Sequence, residues 1–66
     1  MNPSSIPRIL RIRNVVQITG LPKSTIYRLM SQSMFPKNIK LSTVAVGWDM
    51  ADIELWLNER KRASIH

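Results

Sequence analysis

The sequence predicts an α+β fold, mainly helical: a winged helix-turn-helix of three short helices and a small β-hairpin. Three observations carry that reading. Gly20 and Pro22 stop one apolar helical pattern and release a second, in which Ile26, Leu29 and Met30 recur at helical spacing. Two β-prone runs, residues 39–41 and 44–48, meet near Ser42 and Thr43 and read as a hairpin. Met50, Ile53, Trp56 and Leu57 then form one stripe at i, i+3, i+6 and i+7.

The 66 residues leave room for one domain with a small core. Residues 1–7, with Pro3, Ser4, Ser5 and Pro7, are expected to be a disordered lead-in, residues 8–62 the folded domain and residues 63–66 a frayed end. Residues 8–13 alternate bases with Ile9, Leu10 and Ile12, which suits a short strand or extended segment packing Ile9 or Leu10 and Ile12. A helix of barely two turns over residues 13–19 has Val15, Ile18 and Thr19 as its inward set and Val16 on the flank. So short a helix needs a neighbour to be stable. Gly20 supplies a position of positive φ, and Leu21 turns back into the shared core. Pro22 or Lys23 opens the next helix, over about residues 23–32, where Ser24 and Thr25 are expected to bond free amides of the first turn. Phe35 before Pro36 closes that helix and adds to the core. Asp49 is placed to cap the last helix, with Asp52 and Glu54 at its positive end and Arg60, Lys61 and Arg62 at its negative end. Leu55 lies off the apolar stripe, as an ordinary exposed leucine.

Composition narrows the function. Without cysteine there is no disulfide, cysteine-based zinc site or thiol chemistry, and the only histidine is the terminal His66. No glycine-rich phosphate loop is present, and the acids Asp49, Asp52, Glu54 and Glu59 suit helix capping better than catalysis. Neither enzymatic activity nor a cofactor or metal is expected. Apolar runs fall far short of the roughly 20 residues of a membrane span, so a soluble, cytoplasmic protein is expected, without a membrane partner. The net charge of +6 and pI near 11.0 favour an anionic partner, with nucleic acid foremost. Residues 1–48 carry Arg8, Arg11, Arg13, Lys23, Arg28, Lys37 and Lys40 and no acid at all, whereas every acid falls in the last third.

With Ile26, Leu29 and Met30 inward, the second helix presents Ser24, Arg28, Ser31 and Gln32 outward, with Lys23 at its entrance and Thr25 and Tyr27 flanking. These groups suit phosphates and base edges of double-stranded DNA. Arg28 is the candidate reader of guanine, through two parallel hydrogen bonds to O6 and N7, with a phosphate contact as its equal alternative. Lys23, Ser24 and Thr25 fit phosphate or base-edge bonds, and Tyr27 either packs or extends its hydroxyl to a phosphate. Arg11, Arg13, Lys37 and Lys40 are candidates for sequence-independent phosphate contacts. Trp48 and Trp56 read as core.

These residues carry a resemblance. Arg13-Asn-Val-Val-Gln-Ile-Thr-Gly-Leu-Pro-Lys-Ser-Thr-Ile-Tyr-Arg-Leu, then Phe35-Pro-Lys, Ala45-Val-Gly-Trp and Trp56-Leu, is similar to the AlpA family of phage and prophage regulators over residues 8 to about 60. The resemblance implies a MerR-like winged helix related to small excisionases and a role as a DNA-binding regulator in a prophage or other mobile element. It implies that the helix at residues 23–32 reads the major groove and that the hairpin at residues 39–48 contacts backbone or minor groove. Family members often carry a glycine-containing turn and an arginine where this chain has Ser42, Thr43 and Val44. Base reading is therefore expected to lean on the helix, with Lys40 or Thr43 as a weaker wing contact.

The reading reached from the sequence is a sequence-specific double-stranded DNA-binding transcriptional regulator. Its first alternative is an excisionase-like architectural factor that bends DNA and directs an integrase. A protein-interaction module such as an antirepressor is the other. Self-association on tandem sites and contact with an integrase or RNA polymerase stay open as partners, and no coiled-coil seam is present to make a dimer.

Overall fold

The computed structural model describes residues 8–64. The expected lead-in at residues 1–7 and the last two residues lie outside the described part. In chain order the elements are β1 (Ile9–Leu10), α1 (Ile12–Thr19), α2 (Lys23–Ser31), β2 (Ile39–Lys40), β3 (Val46–Asp49) and α3 (Met50–Ser64). The expected α+β winged helix-turn-helix architecture is present, with one addition. β1 joins the hairpin, giving an antiparallel sheet of order β1-β3-β2.

α1 begins at Ile12, one residue before the expected start, and this changes its inward face. Ile12, Val15, Val16 and Thr19 recur at i, i+3, i+4 and i+7, and Ile12 and Val16 pack against the core around the fully buried Val15. Ile18, expected inside, is 40% exposed. Taking Ile12 into the helix rather than the strand selects the 12/15/16/19 stripe. Arg11 stands at the N-cap, where its amide donates to Asn14 Oδ1 at 3.1 Å.

Gly20 ends α1 at φ 74°, its amide donating to the Val16 carbonyl at 2.9 Å. The Thr19 hydroxyl donates to the Val15 carbonyl and accepts the Leu21 amide, which tightens the turn into α2. Pro22, extended at φ −63° and ψ 153°, is the N-cap of α2 and offers no side-chain cap. The expected capping by Ser24 or Thr25 is absent among the described residues, because both fall inside the first turn rather than before it. At the other end, Ser33 takes φ 58° and its amide donates to the Met30 carbonyl, while the Met34 amide donates to the Leu29 carbonyl at 2.8 Å. This pair of bonds is a Schellman closure with serine in the left-handed position usually given to glycine.

The hairpin is shorter than expected. Val44 and Ala45 belong to its turn, where the Ala45 carbonyl accepts the amides of Leu41 and Ser42, and Val44 is 95% exposed. Asp49 ends β3 and accepts the Ala51 amide at 2.8 Å, the expected cap of α3, and the Met50 amide donates to the Arg8 carbonyl. Val15, Ile26, Phe35, Trp48 and Ile53 form the buried core. Both tryptophans are packing residues whose indole N–H groups donate to the segment after α2, Trp48 to the Pro36 carbonyl and Trp56 to the Met34 carbonyl.

Gly47, in the central strand, is paired with Ile39, and it is where the two flanking segments close in. A Cβ built there would lie 2.5 Å from Ile9 Cγ2, 3.0 Å from the Leu10 carbonyl oxygen and 3.1 Å from Leu41 Cδ1. Gly47→Ala is expected to lower stability by about 1–3 kcal/mol, since a backbone oxygen cannot swing aside as a side chain can. Urea denaturation followed by circular dichroism measures it, and an unchanged midpoint would contradict the close approach.

Candidate nucleic-acid interface

α2 is amphipathic in the sense that the sequence implies. Ile26 is fully buried, and Leu29 and Met30 are half-buried against the core. Lys23, Ser24, Tyr27, Arg28, Ser31 and Gln32 are exposed, and Thr25 is half-buried on the flank. Tyr27 is 43% exposed and stands one turn after Lys23 on the same side. The Ser31 hydroxyl donates to the Arg28 carbonyl at 2.6 Å, so its proton is already used and only its lone pairs face outward.

Beside α2 lies a cleft whose walls come from the start of α1 and from the wing. Arg11 and Arg13 share it with Tyr27, Val44 and Val46. Lys40 is the cross-strand partner of Val46, and antiparallel partners share a sheet face, so Lys40 stands on the side of the wing turned toward this cleft. Thr43 is exposed in the wing turn. Lys37 stands apart. It lines a different groove together with Asp52 and Glu59 of α3, and the fold does not bring it to the other candidates. Ile12, Val44 and Val46 are cleft residues that the sequence does not single out, and Val44 is expected in a strand but lies in the turn. The one available signal was the Ser42-Thr43 pair preceding Val44, which permits a longer turn.

The helix ends divide into two electrostatic classes. α3 follows the macrodipole, with Asp52 in its first turn and Lys61 and Arg62 in its last. The starts of α1 and α2 oppose it, while Arg28 in the last turn of α2 agrees with it. Neither helix has an acid in its first turn, and the cations Arg11 and Arg13 stand at the positive end of α1, Lys23 at that of α2. First-turn amides there also lack intrahelical acceptors. An arrangement that works against the isolated helices becomes favourable when an anion lies at those ends.

Among the described residues no three His, Cys, Asp or Glu side chains gather to hold a metal, and no helix is long and apolar enough to cross a membrane.

Residues 8–61 match the family described as Prophage CP4-57 regulatory protein (AlpA). The chain belongs to this family. The DNA-binding transcriptional activator AlpA of Escherichia coli (strain K12) is 39% identical over 66 residues, covering 91% of this chain and 94% of that protein. An uncharacterized protein, ORF88 of Enterobacteria phage P4, is 34% identical over 53 residues, 80% of this chain and 60% of the phage protein. No solved structure gives a significant match. The stretch matched to the AlpA family spans every element from β1 through most of α3, so the cleft and the outward face of α2 both fall within it.

Reversing a cation at these helix starts should stabilise the free domain. Arg13→Glu and Lys23→Glu are each expected to add about 0.3–1 kcal/mol at low salt, a gain of a few degrees in Tm. Thermal unfolding of the variants without any ligand tests this, and a fall in Tm would contradict the electrostatic reading of α1 and α2.

Proposed function

We propose that this chain is a sequence-specific double-stranded DNA-binding transcriptional regulator of prophage or mobile-element genes, with α2 in the major groove. The observation that carries the proposal is the adverse electrostatics at the starts of α1 and α2. Arg11 and Arg13 line the cleft at the positive end of α1, and Lys23 stands at that of α2, one turn before the cleft residue Tyr27, an arrangement that DNA phosphates would turn from a cost into an attraction. The E. coli relative's name and the family's description support the same reading.

In this reading α2, about 13 Å long, lies in a groove about 12 Å wide. Arg28 projects from its exposed face toward guanine O6 and N7. Lys23 and the amides of the first turn meet a phosphate at the helix entrance, beside Ser24 and Thr25. Gln32 extends from the C-cap toward a base edge, and Ser31 accepts a hydrogen bond rather than giving one. Arg11, Arg13 and the Tyr27 hydroxyl follow the adjoining strand of phosphates, while Lys40 and Thr43 bring the wing to the flanking backbone. The role is one of binding and regulation, without catalysis.

Selection from a random duplex pool supplies the cognate site, and binding is then titrated with salt. Affinity should fall steeply as salt rises, with a log–log slope of about −0.9 per phosphate contacted. Arg28→Ala should reduce the cognate-to-scrambled ratio by roughly 5- to 150-fold, equivalent to about 1–3 kcal/mol of base discrimination. Arg11→Ala should weaken both duplexes alike. Absence of duplex binding at low salt would sink the proposal, and an unchanged ratio for Arg28→Ala would remove that side chain from base reading.

A further inference from the structure

A second groove lies between α3 and residues 33–37, and no outward residue of α2 lines it. Trp56 lines it, in edge-to-face contact with the buried Phe35 at 4.8 Å between ring centroids. Met34 and Leu55 line it 50% and 60% exposed, two large apolar side chains left in contact with water in one groove. Its charges are Asp52 and Glu59 against Lys37 and Arg60, two of each sign. Carboxylates disfavour nucleic acid here, and a neutral sum gives no advantage to a strongly acidic or strongly basic partner. A face carrying both signs in equal number around an apolar centre is complementary to itself.

We propose that two copies of this chain pair about a two-fold axis through this groove, with Asp52 of each copy against Arg60 of the other. In an antiparallel pair of α3 helices with Trp56 on the axis, residues whose numbers sum to the same value face each other, and Asp52 then meets Arg60. Within one chain these two are eight residues apart, about 12 Å along the helix, too far to pair. Arg60 is already held, its guanidinium carbon 4.7 Å from the centroid of the Trp56 ring, so little side-chain freedom is lost when the second copy arrives. Ten residues line the groove, against roughly 20–30 a side in a standard interface, which makes the pair weak and salt-sensitive. Both α2 faces stay outside the contact, so the pair presents two of them.

The test is sedimentation equilibrium on the full chain from about 10 μM to about 1 mM, the range suited to an interface at the small end of the scale. A dimer should grow with concentration and recede as salt rises. Asp52→Arg and Arg60→Asp should each leave monomer over the whole range, and the double reversal Asp52→Arg with Arg60→Asp should restore the dimer. Because Asp52→Arg opposes the helix dipole and Arg60→Asp removes the cation from Trp56, circular dichroism checks that α3 persists in each. Leu55→Glu, at an exposed position, should give the same loss of dimer without altering either charge. Wild-type monomer throughout would overturn the proposal and leave the groove to a different chain. A folded double reversal that stays monomeric would overturn it as well.

Discussion

The three helices, the central strand and the connection after α2 each give one side chain to the buried centre: Val15 from α1, Ile26 from α2, Phe35 from the connection, Trp48 from β3 and Ile53 from α3. That constraint governs everything else, because no segment has a second fully buried anchor to fall back on. Truncating such a residue to alanine costs about 2–5 kcal/mol for the aliphatic members, close to the roughly 3–5 kcal/mol that a single core of this size supplies. The helices and the wing therefore form or fail together. Ile26 matters most for what the domain presents, since its complete burial fixes which side of α2 is turned outward.

On that core the charges are distributed by two different rules. α3 is built for the stability of the domain, with Asp49 capping it, Asp52 in the first turn and bases in the last. The starts of α1 and α2 forgo the same benefit, and Arg11 and Arg13 line the cleft that Tyr27 shares with the wing. The domain thus has one helix with charge-matched ends and two helix starts whose cations would be offset by an anion.

Much of this was legible in the residues. The break at Gly20 and Pro22, the inward set of α2, the cap at Asp49 and the packing role of both tryptophans depend on local chemistry, and local chemistry is written in short stretches of sequence. What escaped depends on distant partners. The pairing of Ile9 with Asp49 joins residues forty positions apart, and nothing within residues 8–13 announces it. Once β1 is seen to stop at Leu10, Ile12 is free to enter α1, and the inward stripe moves from Ile18 to Val16. Lys37 follows Pro36 and looks like any other base of the acid-free region, but the fold after α2 turns it toward α3. The wing turn was misjudged by two residues because Val44 and Ala45 are as suited to a strand as to a turn, and only the hydrogen bonds from Leu41 and Ser42 to the Ala45 carbonyl decide it.

The chain has two tryptophans, and both indoles donate to one stretch, at Met34 and Pro36. Their emission therefore originates in a single neighbourhood, on the joint between α2 and the wing. Any event that loosens this joint changes the environment of both fluorophores at once and can be followed optically without a label. The outward side of α2 carries the lone tyrosine instead, so the two sides of the domain differ in the colour of light that reports on them.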